Sequence, residues 1–280
     1  MNENVFERLP QAQRITSRTN PLVSSLAKLE QAKYRREQQL FLAEGRKLSE
    51  EAAGREEVRY VLLRSDDGFV ESSLLDIAAA VPDPRSVIVL PGSTFEKIST
   101  ENAPQGIITV LAPFSSMHCT WNEKSAVCMK GIRVLAVDSV QDPGNLGTII
   151  RTASAFGYTH ILLGSCADIY HPKTVRASMG ALFRMRIHTC PDLAKALTEL
   201  KSTGHRIISA ALAENVMTLG ENTLAADDCI VIGNEGHGIS DAVLAVSDAV
   251  MKIPMAAGTE SLNAGTAAAV LMWEYYRSFR

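Results

Sequence analysis

Short apolar runs recur along the chain with helix-like stretches between them, and no other feature limits the fold as much. In the first part the runs are Phe41–Ala43, Val58–Leu63, Ser86–Leu90 and Gly106–Ala112. The stretches between them are Pro21–Arg36, Arg46–Ala53, Ser73–Ala80 and Thr94–Ser99. Asn20-Pro21 opens the first of these with a cap residue and a proline at the first helical position. Strands alternating with helices predict an α/β fold with a substantially parallel sheet. The rhythm breaks at Ser115–Lys130, which mixes polar with bulky residues and reads as a linker or irregular insertion. It resumes with runs at Val134–Val140, His160–Leu163, Ile207–Leu212, Ile230–Ile232 and Val250–Ile253. The apolar, Ala-rich segment Ser261–Phe279 is expected to be a helix packed against the sheet. A chain of 280 residues is about two domains long. The expected division is 14–113, a connecting segment 114–130, and 131–280.

A composition of 46% apolar and 21% charged residues excludes disordered, collagenous and disulfide-scaffold chains. The longest apolar stretch, Ala264–Trp273, is about half the ~20 residues of a membrane span. The N-terminal residues carry Glu3 and Glu7 and lack the apolar core of a secretory signal. The five cysteines form no CxxC pair, as expected for reduced thiols in the cytoplasm, and neither they nor the six histidines have metal-ligand spacing. No metal and no membrane partner are expected.

The net charge of −3 conceals strong segments. Arg14–Lys47 holds eight Lys/Arg against three Glu, and His171–Arg206 seven against two carboxylates. Between Ile207 and Met251 there are seven carboxylates and no Lys or Arg. Two basic segments of this kind fit a local footprint for phosphates, although charge alone favours solvated helix faces.

Three strands of the second half run into glycine-punctuated polar loops. In residues 136–157, AVDSVQDPGNLGTIIRTASAFG, Pro143-Gly144 turns the chain and Asn145 stands where a helix begins. Arg151 follows about 1.7 helical turns later. The second loop lies in IVIGNEGHGIS, 230–240, where Glu235 is set among glycines that let backbone approach a ligand closely. The third, IPMAAGTESLNAG, 253–265, places Ser261 and Asn263 at the start of the last helix, where they are also natural caps. Loops at the carboxyl ends of strands are where open α/β sheets bind ligands. Neither GxGxxG nor GxxxxGK[ST] occurs, which counts against an ordinary nucleotide-using enzyme. His237, Ser240 and Asp241 lack the GxSxG elbow of a serine hydrolase.

DPGNLGTIIRTASAFG, IVIGNEGHGIS and IPMAAGTESLNAGTAAAVLMWE resemble, in order and separation, the three motifs of the SpoU/TrmH branch of the SPOUT RNA methyltransferases. KTVRASMGALFRMRI, 173–187, resembles that family's connecting segment. ITSRTNPLVSSLAKLEQAKYRREQQLFLAEGRKLSEEA resembles the substrate-binding domain many members carry. The resemblance implies a catalytic domain with a deep trefoil knot, one of the rare exceptions to unknotted topology. It also implies a smaller, ribosomal-protein-like N-terminal RNA-binding domain, S-adenosylmethionine as cofactor, and a homodimer formed through the catalytic domain. The implied reaction is methylation of a ribose 2′-hydroxyl in structured RNA, ribosomal RNA above all. A tRNA ribose methyltransferase and a non-catalytic ribosome-assembly factor are the alternatives.

By the same resemblance Asn145, Arg151, Glu235, Ser261 and Asn263 are the catalytic set. Gly233, Glu235, Ile253, Met255 and Leu262 would contact the cofactor, with Ala210–Leu212, chiefly Ala210 and Leu212, beside them. Arg18, Lys28, Lys33, Arg35, Arg36, Arg46 and Lys47 would dock RNA. Lys173 and Arg176, with Arg184 and Arg186, would serve the acceptor side.

Overall fold

The computed structural model describes residues 2–212, 216–221, 224–256 and 261–279. The chain divides into two compact units, one of residues 1–114 with 170–183, the other of 115–169 with 184–280.

The first unit is built on a five-stranded sheet: β1 (Gln13–Arg14), β2 (Phe41–Glu44), β3 (Val58–Arg64), β4 (Val87–Leu90) and β5 (Ile107–Leu111). Its order is β1-β4-β3-β5-β2. β1, β4 and β3 pair in parallel, and β5 runs antiparallel between β3 and β2. The sheet is therefore mixed, because β5 returns into the slot that the β2–helix–β3 crossover leaves open. The stretch Pro21–Arg36 is not one helix. It is α1 (Pro21–Leu26), a short 3-10 turn, and α2 (Ala32–Gln38). α3 (Arg46–Ala52) and α4 (Ser72–Ala79) follow. The Asn20 side chain caps α1 by accepting from Leu22 N at 2.9 Å.

Among the described residues the second unit forms an eight-stranded sheet in which every neighbouring pair is parallel. Its strands are β6 (His118–Thr120), β7 (Val134–Asp138), β8 (His160–Gly164), β9 (Arg186–Cys190), β10 (Arg206–Ala210), β11 (Met217–Thr218), β12 (Asp228–Ile232) and β13 (Ala249–Lys252). The order is β11-β13-β10-β12-β7-β8-β9-β6. β7 and β12 are buried along their whole length, as the central strands of a parallel sheet covered on both faces must be. The helices are α5 (Glu123–Val127), α6 (Pro143–Ala155), α8 (Leu193–Lys201), α9 (Asp241–Val246) and α10 (Ala264–Ser278). α7 (Pro172–Ser178) belongs to the first unit. From β7 the chain builds outward through β8 and β9 on one side and later returns to lay β12 on the other. The loops after β7 and β12 therefore meet where the strand order reverses.

Two segments differ from their sequence reading. Residues 115–130 do not form a free linker: β6 pairs with β9, and Trp121, Ala126 and Met129 enter the core with Leu162, Leu197 and Val231. The strand is only three residues long, too short for a periodicity to register. Residues 170–183, expected within the second domain, pack in the first unit. There Phe41, Phe114, Tyr170 and Phe183 form an aromatic cluster with ring centroids 4.5–6.5 Å apart. The Phe114 N–H donates to the Tyr170 hydroxyl at 3.0 Å.

Candidate active site

Each of the three polar loops leaves the carboxyl end of a strand, and the local sequence explains how each presents its side chains. After β7, Asp142 caps α6 by accepting from Asn145 N at 2.8 Å, with Pro143 at the first helical position. The cap consumes the Asn145 backbone N–H and leaves its side chain to point sideways. After β12 the chain doubles back: Asn234 N donates to Gly238 O at 2.8 Å and Gly238 N to Asn234 O at 3.1 Å. A Cβ on Gly233 would lie 2.5 Å from the Gly238 carbonyl carbon, so no other residue allows this approach. Glu235 stands at the tip of that turn. After β13, Asn263 caps α10, its Oδ1 accepting from Gly265 N at 2.9 Å and Thr266 N at 3.3 Å.

One chain of hydrogen bonds then joins the three loops. Asn263 Nδ2 donates to Asn145 Oδ1 at 2.9 Å, and Asn145 Nδ2 donates to Glu235 Oε1 at 2.9 Å. The amide orientations follow from the ends of the chain. The helix N–H groups require the Asn263 oxygen, which turns its NH₂ toward Asn145. The carboxylate requires the Asn145 NH₂. Gln141 N and Asp142 N also face the Glu235 carboxylate, each at 3.4 Å. Burial raises the Glu235 pKa, but the Asn145 amide and the backbone N–H groups outweigh it and hold the carboxyl below its ordinary value.

Beside this chain lies a cavity of about 560 Å³, the size of a small-molecule site. Ala210, Leu212, Gly233, Glu235, Ile253, Met255 and Leu262 line it, as does Ser261. Glu235 thus faces the cavity and the asparagine pair at once. Residues 257–260 of the third motif lie outside the described residues. Arg151 stands exposed on α6 and makes no hydrogen bond or ion pair with the described residues. The structure therefore joins Asn145, Glu235 and Asn263 directly, places Ser261 at the cavity, and leaves Arg151 unattached to them. Sequence reasoning assigned no role to Asp138, Asn234, Asp241 and Lys252. The last three line the cavity, and Asp138 is buried beneath the loops. Asn234 and Asp241 lie within or beside the second glycine loop, and their short polar side chains at a strand exit were the available signal.

The basic residues divide. Arg35 is a correction: it is buried, and its Nη1 donates to Leu29 O at 2.8 Å and Glu30 O at 2.6 Å. It closes the turn between α1 and α2 and is not available for docking RNA. Arg18, Lys28, Lys33, Arg36 and Lys47 are exposed. Lys28 and Lys33 flank the Tyr34 ring, at 5.2 and 5.7 Å. Arg46 pairs with Glu71 at 2.6 Å and Lys47 with Glu51 at 3.1 Å. Lys173 and Arg176 sit on α7 in the first unit, Arg176 paired with Glu101.

Comparison with known proteins places these features. Residues 133–273 match the SpoU rRNA Methylase family, and residues 20–109 match the MRM3-like substrate binding domain. The chain is 32% identical over 260 residues to the Bacillus subtilis 23S rRNA (guanosine(2553)-2′-O)-methyltransferase RlmP, covering 92% of this chain and 97% of that one. A solved TrmH-family structure from Porphyromonas gingivalis superposes with a TM-score of 0.75 at 31% identity, over 92% of this chain and 98% of that one. The AdoMet-bound rRNA methyltransferase of Sinorhizobium meliloti has the same fold, with a TM-score of 0.79 at 24% identity over 96% and 99% of the two chains. The three loops that meet over this parallel sheet all fall within the matched region, and the chain belongs to the SpoU rRNA methylase family.

Proposed function

We propose that this protein transfers a methyl group from S-adenosylmethionine to a ribose 2′-hydroxyl of ribosomal RNA. The observation that carries the reading is the Asn263–Asn145–Glu235 chain set against the cavity. It joins a small-molecule pocket to a polar surface on which a second substrate can lie.

The residues present fit the cofactor. Ile253, Met255 and Leu262 would give an adenine an apolar wall, and the Glu235 carboxylate on the cavity lining would offset the positive charge of a sulfonium. When bound, S-adenosylmethionine supplies a methyl group on a good leaving group, so no metal and no covalent intermediate is required. Arg151, a planar guanidinium, clamps the target phosphate in bidentate fashion and stabilises the alkoxide that develops as the 2′-hydroxyl passes its proton to that phosphate or to water. Asn145 orients the same nucleotide, and Glu235 holds Asn145. Ser261 stands at the cavity mouth on the same loop as Asn263.

The ribosomal target is supported by the name of the Bacillus subtilis relative, a 23S rRNA 2′-O-methyltransferase. A Synechocystis relative, 31% identical, is named a tRNA/rRNA methyltransferase, which keeps transfer RNA as the competing substrate. Arg18, Lys28, Lys33, Arg36, Arg46 and Lys47 would dock the RNA, so binding should fall steeply as salt rises. A knotted catalytic domain, a homodimer and a cytoplasmic location complete the reading. The half-exposed Trp273, with Phe156 and Tyr276 at 5.8 and 6.2 Å, offers an aromatic face for a second copy.

The test is to incubate the purified protein with radiolabelled S-adenosylmethionine and total RNA from a strain lacking the gene, then map new 2′-O-methyl positions. One labelled ribose in ribosomal RNA is the expected result. Label confined to tRNA would replace the substrate, and absence of cofactor binding would overturn the reaction.

A further inference from the structure

We propose that Asp138 and Asn234 are positioning residues that hold the Glu235 turn against the loop opening α6, so that the carboxylate meets the Asn145 amide. This rests on the role given to Glu235 above.

Two pins join the loops, one at each end of the Glu235 turn. Asp138, the last residue of β7, is 4% exposed. Its Oδ2 accepts from Ser240 N at 2.8 Å and Ser240 Oγ at 2.7 Å, and its Oδ1 accepts from Ser139 Oγ at 3.0 Å. Asn234 forms the other pin: its Nδ2 donates to Ser139 O at 2.6 Å, while its Oδ1 accepts from Gly236 N at 2.8 Å and His237 N at 3.0 Å. Ser139, which both pins grip, has φ +59° and is held there with its N–H on Gly164 O at 2.7 Å. A serine with no glycine-like freedom stays in the left-handed region only where its surroundings over-determine it.

A turn of this kind needs no carboxylate underneath it, and a buried carboxylate is tolerated only when donors satisfy it. Among the described residues Asp138 spends all its bonds on the two loops that carry Glu235 and Asn145. The direct backbone bonds to Glu235, at 3.4 Å, are too long to set the turn themselves. The pins set the distance, and the 2.9 Å Asn145–Glu235 bond is its consequence.

The test uses the full chain with Asn234→Ala, Asp138→Asn and Glu235→Gln. The Glu235 carboxyl is titrated by carbon NMR with labelled glutamate, Glu235→Gln assigning the signal. In the parent it should titrate below the ordinary ~4.3. In Asn234→Ala it should return toward that value with the fold intact. Asp138→Asn should move it the same way, although loss of a nearby negative charge alone would lower it. Turnover gives the second reading. Asn234→Ala should lower kcat about ten-fold or more, yet add less than about two-fold in the Glu235→Gln background, as coupled residues do. A folded Asn234→Ala protein in which Glu235 titrates as in the parent overturns the proposal, as do fully multiplicative losses. Should Asp138→Asn not fold, Ser240→Ala removes one donor from that pin and should move the titration less in the same direction. Should the parent methylate no RNA, the reaction falls, and the NMR titration still decides the positioning role.

Discussion

Asn263 performs two tasks with two atoms, and substitution can separate them. Its oxygen caps α10 and its NH₂ holds Asn145. Asn263→Ser keeps a capping oxygen but cannot span to Asn145, so the melting temperature should stay near the parent's while turnover falls at least ten-fold. Asn263→Ala loses both, adding about 1 kcal/mol of destabilisation from the lost cap. Equal turnover in the two variants with a parent-like rate would remove Asn263 from the site. In the proposed reaction Arg151 acts through its planar guanidinium alone. Arg151→Lys keeps the charge but not the planar fork, and kcat should drop by about a hundred-fold while cofactor affinity holds. Near-full turnover would refute the bidentate clamp. These residues were legible because their loops carry unusual chemistry at strand ends. Arg35 was not, because burial of a guanidinium depends on carbonyls left open by a broken helix, and the sequence of that helix reads as continuous.

The same contrast holds for elements. β7, β8, β10, β12 and β13 announce themselves as apolar runs, whereas β6 and β9 do not. β9, Arg186–Cys190, interleaves Arg186 and His188 with Ile187 and Cys190, and β6 is too short to show a pattern. What this pairing buries has a consequence for stability. His188 is 7% exposed, with Cys119 Sγ of β6 at 3.3 Å from Nδ1, the Trp121 ring at 5.6 Å and the His160 ring of β8 at 5.7 Å. Its Nε2 has no hydrogen-bond partner among the described residues. Burial first, then the His160 and Arg186 charges, lower its pKa to about 4. The unfolded chain, with a histidine near 6.5, binds this proton more readily than the folded one. Stability from His188 is thus complete above pH 6.5, declines as pH falls toward 4, and levels below. His188→Phe removes the titration and should flatten the pH dependence of unfolding free energy in that window, by up to about 1.4 kcal/mol per pH unit. His160, also lowered by burial, titrates in both proteins, so the difference between them reports His188. Parallel curves from pH 4 to 6.5 would show that His188 does not titrate differently on folding.

Across the whole molecule, linear order and spatial units diverge, and no local pattern foretells it. The chain leaves the second unit after Ile169, packs residues 170–183 into the first, and returns at Arg184. A sequence reading cuts domains where composition changes, but here the cut is made by Tyr170 and Phe183 finding Phe41 and Phe114. Phe41, Phe114 and Phe183 are fully buried, and the Arg55 guanidinium lies over the Phe114 and Phe183 rings at 5.5 and 5.7 Å. The first unit therefore owes part of its core to a segment that follows it by more than fifty residues. Phe183→Ala should destabilise this unit by about 3–5 kcal/mol, the usual cost of emptying a buried aromatic site. Unfolding followed through a probe in residues 1–114 should shift more than unfolding followed through α8. The isolated fragment 1–114 should expose the Phe41–Phe114 surface and bind an apolar dye. A fragment that carries 170–183 on a flexible linker should not. If fragment 1–114 unfolds cooperatively without binding dye, and Phe183→Ala costs less than about 1 kcal/mol, residues 170–183 lie on a unit already complete without them. If both expectations hold, no truncation at the apparent boundary yields a sound substrate-binding domain. RNA-binding measurements must then be made on the intact chain.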